Sequence, residues 1–436
     1  MKKVLIACLF IFSIVFRLYF ADKYFHVDIF SNAGWGEWIA NNGTKQFYNN
    51  GVWVYSWPTQ LPVVNLIYGF CFHVYRYLII YLLRFGFLLD KLQVPEIIQT
   101  SYGAYVNHFN SPINSDIWYK YGFLISIKLM AILGDMLVAL VVFLYAKSTK
   151  VKRSLIWPLV YLWSPFSIYI SAFWGQYEQL SFVLVLVAFL TVVRLPIISP
   201  VLFSLSLGVK PTSAIFIPFY VYLLIKNRKL FRSYLIGGGI AVAINIYLVQ
   251  LFNPDGNWFQ FVFGRLTKIV LVKSIPKMTV NSYNLWHMFF GDGDVNDPNI
   301  NLIFMPFKYW AYLFLAIINY MAIKIDRIKK DGMFLALMVV GIGSWLFGVT
   351  MLERYLFAGI AFGLIAAIKE PKLFKPWFLM SLLFWVNLYK HWWQPEWLPI
   401  LRIFHENYPL ASQLTIPLLN IIIFIYMIKV IYAKDK

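Results

Sequence analysis

An ionisable side chain at the edge of a bilayer is expensive to place, and is a functional candidate for that reason. This sequence puts several such groups into short polar breaks between apolar stretches. The first is Asp28, in the run Tyr24-Phe25-His26-Val27-Asp28-Ile29-Phe30. A carboxylate there could act as a general base, taking a proton from an attacking hydroxyl; it could equally be a solvated loop residue beside an aromatic belt. Glu37, Lys45, Tyr48, Trp57 and Pro58 follow it. Further on, Trp174-Gly175-Gln176-Tyr177-Glu178 would present Gln176 and Glu178 at a turn, or simply anchor an interfacial turn through its Trp. Lys210-Pro211 and Glu353-Arg354-Tyr355 each join two apolar stretches. Lys210 and Arg354 suit a phosphate or lipid headgroup; a snorkelling lysine and a self-paired Glu353–Arg354 are the plainer readings. The segment from Asn281 to His287, which includes Trp286, follows Arg265, Lys268, Lys273 and Lys277, which could form an electropositive rim or a plain solvated loop. Arg17, Lys128 and Asp135 lie inside apolar stretches and read as structural: Arg17 as a snorkelling anchor, Lys128 and Asp135 as packing or pairing groups two helical turns apart. The chain contains no Gly-rich phosphate loop, no Cys/His metal cluster and no Gly-x-Ser-x-Gly elbow, so neither a metal nor another cofactor is expected.

The elements that must hold these groups are membrane helices. Of 436 residues, 61% are hydrophobic and only 13% charged, about half the charged share of a soluble domain. Several apolar stretches reach the roughly 20 residues that cross a bilayer. The net charge of +19 would suggest nucleic acid in a soluble protein. Here the cations cluster between apolar segments, which is a topology signal instead. Cys8 and Cys71 both fall in apolar stretches and indicate no disulfide framework. Met1-Lys2-Lys3 and the apolar run behind it lack a small-residue cleavage site and read as a retained first helix.

Twelve spans are expected, at about 3–21, 119–145, 155–173, 180–194, 195–209, 212–226, 234–252, 303–323, 333–350, 354–369, 374–390 and 410–431. That count puts the basic clusters at Lys2-Lys3, Lys147 to Arg153, Arg194, Lys226 to Arg232, Lys324 to Lys330, Lys369 to Lys375 and Lys429 to Lys436 on one side, assigned to the cytoplasm with both termini. It also makes 61–89 an amphipathic helix in the outer interface rather than a span, with Asn65, His73, Arg76 and Arg84 along one face. The chain then divides into a membrane module, 1–252, that includes a long outer loop at 22–118; a second outer loop at 253–302; and a C-terminal membrane module, 303–436. Asp28, Glu178, Lys210 and Glu353-Arg354 all fall on the outer face.

In that order, these landmarks resemble the GT-C superfamily of integral-membrane glycosyltransferases, and most of all the bacterial mannosyltransferase-like proteins related to the GPI-anchor and dolichol-pathway mannosyl and glucosyl transferases. The segments that carry the likeness are Asp28 with Trp35, Gly43 and Tyr48, then Trp57-Pro58, Lys128 with Asp135, Trp174 to Glu178, Lys210-Pro211, Asn281 to Trp286, and Glu353-Arg354-Tyr355. The chain departs from the family at Leu352, where a His often stands, at Glu178, often Asp, and at Trp57-Pro58-Thr59, often Tyr-Pro-Pro. The resemblance implies an all-α polytopic fold of the GT-C type. It implies a hexose, of mannose or glucose type, carried on a polyprenyl phosphate and passed with inversion to an acceptor hydroxyl of a glycan, glycolipid or protein outside the bacterial plasma membrane. Asp28 would be the base. Arg354 and Lys210, with His287, would meet the leaving phosphate, and Arg76 and Arg84 would seat the lipid phosphate. Glu37, Tyr48, Trp57, Gln176, Glu178, Glu353 and Trp286 would line the substrate pocket. A lipid-linked-glycan flippase or other transporter, and a surface-polysaccharide polymerase or ligase, are the alternatives.

Overall fold

Runs of apolar residues uninterrupted by turn formers satisfy their backbone groups most economically as helix, and the chain folds accordingly. A computed structural model describes residues 2–49, 57–84, 117–253, 256–266, 277–291 and 297–433. The helices are α1 (Lys2–Ala21), α2 (Val27–Asn42), α3 (Pro62–Arg84), α4 (Ile117–Ser148), α5 (Ile156–Leu162), α6 (Pro165–Ile168), α7 (Glu178–Thr191), α8 (Ile198–Val209), α9 (Ile217–Lys226), α10 (Phe231–Phe252), α11 (Leu285–Phe290), α12 (Phe307–Ile328), α13 (Met333–Phe347), α14 (Phe357–Lys369), α15 (Phe374–Trp392), α16 (Pro399–Asn407) and α17 (Pro409–Tyr432). The segments expected to span are mainly helical, but 155–173 is broken at Trp163 and Ser164, and 303–306 is turn and strand before α12 begins. By length and composition alone, four stretches could cross a membrane: Val4–Ala21, Gly122–Ser148, Arg228–Phe252 and Pro409–Tyr432. A fifth is the pair Ile156–Leu162 and Pro165–Trp174, bent by 54°.

Of the shorter apolar helices, α13 lies wholly within the bundle. In α13 every residue from Phe334 to Leu346 is buried, which is how a helix apolar all round behaves. It crosses α14 so closely that a Cβ on Gly341 would sit 2.5 Å from Gly359 Cα. One continuous core runs from Val138 to Ile431 in sequence. The outer helices turn large apolar side chains outward, among them Ile11 and Phe12 of α1, Val242 and Tyr247 of α10 and Ile422 and Ile425 of α17. An all-helical bundle with a packed interior and an apolar exterior fits a membrane protein.

The charged residues inside the long helices are paired, although not as their spacing suggested. Arg17 does not snorkel. Its side chain is fully buried, with Nε donating to Asp135 Oδ2 at 3.0 Å, and further donors reaching Ser13 O, Leu162 O and Ser167 Oγ. Tyr161 donates to the other Asp135 oxygen at 2.6 Å. Asp135 is therefore the partner of Arg17 on α1, and Lys128 is engaged elsewhere.

The segment expected in the outer interface is α3. It buries Val64, Tyr68, Cys71, Phe72 and Tyr75 against α2 and α4 and exposes Phe70, His73, Val74, Arg76 and Tyr77. The expected polar face is only partly found. Asn65 is fully buried, donating to Tyr48 Oη at 2.8 Å and to Gln60 O.

Candidate active site

The group around Asp28 is built at the ends of helices. His26 caps α2: its Nδ1 accepts from the backbone N–H of Asp28 at 3.1 Å. A ring nitrogen that accepts must be unprotonated. Consistent with that role, burial pushes the His26 imidazole down to about 3, against the pull of Asp28, with Arg354 and Lys128 also disfavouring a second proton. The 3.6 Å approach of His26 Nδ1 to Asp28 Oδ2 is therefore not an ion pair. Asp28 lies in the first turn of α2, where the helix dipole favours a negative charge. Burial works to raise its pKa, but the Arg354 guanidinium holds it below the ordinary value.

A buried neutral His carries a stability signature. Its folded pKa lies below the unfolded one, near 6.5, so the unfolded chain gains a proton first. Stability is full above pH 6.5 and falls as the pH drops toward 3, with about 2 kcal/mol lost by pH 5. Thermal unfolding at pH 7 and pH 5 should show this drop in the wild type and a smaller one in His26→Gln, which keeps a capping acceptor. An unchanged slope in the variant would assign the acid sensitivity to another group.

The second strand of the site follows α6. Tyr169–Trp174 continues that helix as a π turn, a widened turn often found at functional sites. Gly175 closes it at φ +78°, with its N–H and that of Gln176 both on Ile170 O. A Cβ at Gly175 would meet Ile29 Cδ1 at 2.8 Å and Lys128 Cγ at 2.9 Å, so the turn packs directly on α2 and on the lysine. Lys128, fully buried, donates to Tyr24 O and to Ala172 O; it ties the segment before His26 to the π turn. Gly175→Ala should lower stability by about 1–2 kcal/mol through the left-handed backbone, and should displace Gln176. Thermal unfolding reads the first effect. Wild-type stability in the variant would show that the turn adapts freely.

Arg354 is the hub. It precedes α14 in a single 3-10 turn, Glu353–Leu356, and reaches Glu353 Oε1 at 2.7 Å, Glu178 Oε1 at 3.4 Å and Asp28 Oδ2 at 3.7 Å. Its guanidinium lies 5.4 Å from the centre of the Trp174 ring, within cation–π range. Gln176 Nε2 donates to Asp28 Oδ2 at 2.6 Å. Lys210, at the break between α8 and a 3-10 turn at Pro211–Phe216, pairs with Glu178 Oε1. Two cations thus lie among three carboxylates. The contacts made to Asp28 by Gln176 and Arg354 are both to Oδ2, and its carboxylate is a third exposed.

Burial separates these residues by role. Glu178, Gln176, Lys210 and Glu353 are almost wholly covered, so they support the site from behind rather than line an open pocket. The cavity that touches Glu178, Lys210, Arg354 and Tyr355 measures about 30 Å³, room for a water or two but not for a sugar. The group is open on the side of Asp28, whose side chain is a third exposed, with Arg354 less so.

Other expected residues have structural tasks. Tyr48 is fully buried, donating to Gln60 O at 2.7 Å, and is a packing residue rather than a pocket wall. Trp286 Nε1 donates to Phe347 O at 3.0 Å, and His287 packs edge-on against Tyr283. Both belong to a clasp that fastens α11 to the bundle, where Asn284 reaches Trp345 O and Gly348 O and Asn387 receives Tyr283 N–H. Within it β1 (Thr279–Val280) pairs in parallel with β2 (Met351–Leu352), immediately before Glu353. The Asn281–Trp286 segment is thereby fastened to the strand that precedes Glu353 and Arg354. Arg76 is exposed, donating to Asn41 Oδ1 at 3.0 Å. Glu37 and Trp57 are half-buried. Lys268, Lys273 and the side chains of Arg84 and Arg265 lie outside the described residues.

The sequence reading missed His391, at the end of α15. Its ring stacks on Trp174 at 5.1 Å, lies 5.3 Å from His26 and contacts Asn281 Nδ2 through Nδ1 at 2.6 Å. The run Lys390-His391-Trp392-Trp393 at the end of an apolar stretch was the available signal. Compared with known proteins, the chain matches no protein-family model and no curated protein.

Proposed function

We propose that this chain is a membrane glycosyltransferase of the GT-C type. It moves a hexose from a polyprenyl-phosphate carrier to an acceptor hydroxyl, with inversion, at the end of a twelve-span bundle that faces away from the cytoplasm. One observation supports this above the rest. Asp28, Gln176, Glu178, Lys210 and Arg354, scattered over more than 300 residues of sequence, meet in one group at helix junctions.

The chemistry follows from the contacts. The acceptor hydroxyl attacks C1 of the sugar from the face opposite the phosphate, and its proton passes to Asp28. The bond from C1 to the phosphate oxygen breaks, and its electron pair stays on the phosphate. Arg354 is placed to balance both changes. Its contact with Asp28 is the longest of the three it makes to carboxylates. As Asp28 gains the proton its hold on Arg354 weakens, while negative charge grows on the phosphate. Preorganised charge of this kind is where most catalytic stabilisation arises. Glu178 and Glu353 keep the guanidinium in place, and Lys210 in turn holds Glu178 through Oε1.

Purified protein in nanodiscs, given a radiolabelled polyprenyl-phosphate hexose and a lipid and glycan extract as acceptor, should transfer label without nucleotide sugar. A folded preparation that neither transfers nor hydrolyses polyprenyl-phosphate mannose or glucose would overturn the assignment.

A further inference from the structure

A large cavity lies at the other end of the bundle. Three elements run from the Asp28–Arg354 group to it: α7 from Glu178 to Thr191, the Lys210–Lys226 segment, and the Arg354–Lys369 segment. Thirteen residues of helix at 1.5 Å each put the two sites about 20 Å apart. The cavity measures about 1060 Å³, at the upper end of what holds a drug-sized ligand.

Its lining has two chemistries. One wall is aliphatic and aromatic, formed by Val141, Leu144, Leu190, Leu223 and Phe334. Arg194, Lys226, Lys329, Lys330 and Lys369 also line it, facing two carboxylates, Asp326 and Asp331. Those carboxylates are already engaged. Asp326 takes Lys226 at 2.6 Å and the Tyr222 hydroxyl at 2.9 Å, and Asp331 takes Lys369 at 3.3 Å. Arg194 and Lys330 are exposed and pair with no carboxylate among the described residues. An apolar wall beside uncompensated cations, at the end of a bundle whose outer helices are apolar, is complementary to a molecule with a hydrocarbon tail and an anionic head.

We infer that this cavity binds the headgroup of an anionic phospholipid, with Arg194 and Lys330 on its phosphate and the acyl chain along Val141, Leu144 and Leu190. The site is independent of the proposed transfer reaction.

Native mass spectrometry of the full chain, released from detergent with equal phosphatidylglycerol and phosphatidylcholine, tests it. The wild type should retain one phosphatidylglycerol in preference. The double variant Arg194→Gln, Lys330→Gln should lose that retention by about tenfold or more, with unchanged thermal unfolding because both residues are exposed and unpaired. Arg194→Lys, Lys330→Arg should keep it. The control pair Lys152→Gln, Arg153→Gln, exposed in the link before α5 and outside the cavity, should also keep it. Equal loss in the control would mean a diffuse surface potential and overturn the site. Displacement of the lipid by glycerol phosphate at equal concentration would mean a soluble anion site and overturn the lipid assignment.

Discussion

Asp28→Asn should lower sugar transfer by about 10²–10⁴-fold, the usual contribution of a positioned general base, without raising KM for the donor. Asparagine keeps the shape of the side chain and an oxygen that can accept from Gln176 Nε2, which now lies 2.6 Å from the carboxylate. What it lacks is a site for the proton. Donor affinity should hold or improve, because Arg354 would then answer to two carboxylates, Glu178 and Glu353, rather than three. The fold should survive, since the Asp28 carboxylate is a third exposed and its ion pair with Arg354 is long. Steady-state kinetics beside thermal unfolding separates these effects. A folded Asp28→Asn protein with wild-type kcat would remove the base from the mechanism. A protein that loses donor affinity but keeps kcat would move Asp28 from proton transfer to binding.

The second large effect is on folding. Either Arg17→Met or Asp135→Leu should destabilise the protein by about 3–5 kcal/mol, the range for stranding one member of a buried pair. That is a large part of the roughly 5–15 kcal/mol by which proteins are stable at all. Among the described residues, Arg17→Met leaves the Asp135 carboxylate with the Tyr161 hydroxyl alone. Asp135→Leu leaves a guanidinium facing Ser13 O, Leu162 O and Ser167 Oγ, polar partners with no counter-charge. The double variant should recover most of the loss, because an apolar pair of similar volume removes both charges from the interior. Survival of monodisperse protein after graded heating, followed by size-exclusion chromatography, reports the three variants together. Additive losses in the double variant would mean that the two residues do not act as a pair.

Much of this was legible in the residues alone. A low charged fraction and long apolar runs are local properties, and they dictate helices because a helix satisfies its backbone polar groups within one segment, whereas a closed barrel requires short strands of alternating polarity. Candidate residues could be listed for a related reason: Asp28, Glu178, Lys210 and Arg354 stand at breaks in those runs, where a charge is unusual. Partnership was not legible. Lys128 and Asp135 are seven residues apart on one helix, which suggests a common face, yet that spacing separates them by about 10 Å along the axis. Asp135 meets Arg17 of α1 instead, and Lys128 turns to backbone carbonyls on either side of the site. The same limit explains Tyr48 and Trp286, for which the resemblance implied a pocket but whose neighbours enclose them. It also explains His391, which joins the site only because α15 returns to Trp174. The sequence by itself determined that the chain is helical and apolar and which polar residues interrupt it, since those are properties of neighbours along the chain. Only the tertiary structure decided that three carboxylates share Arg354 and that Asp28 alone among them stands partly open, because both depend on how helix ends distant in sequence are brought together by packing.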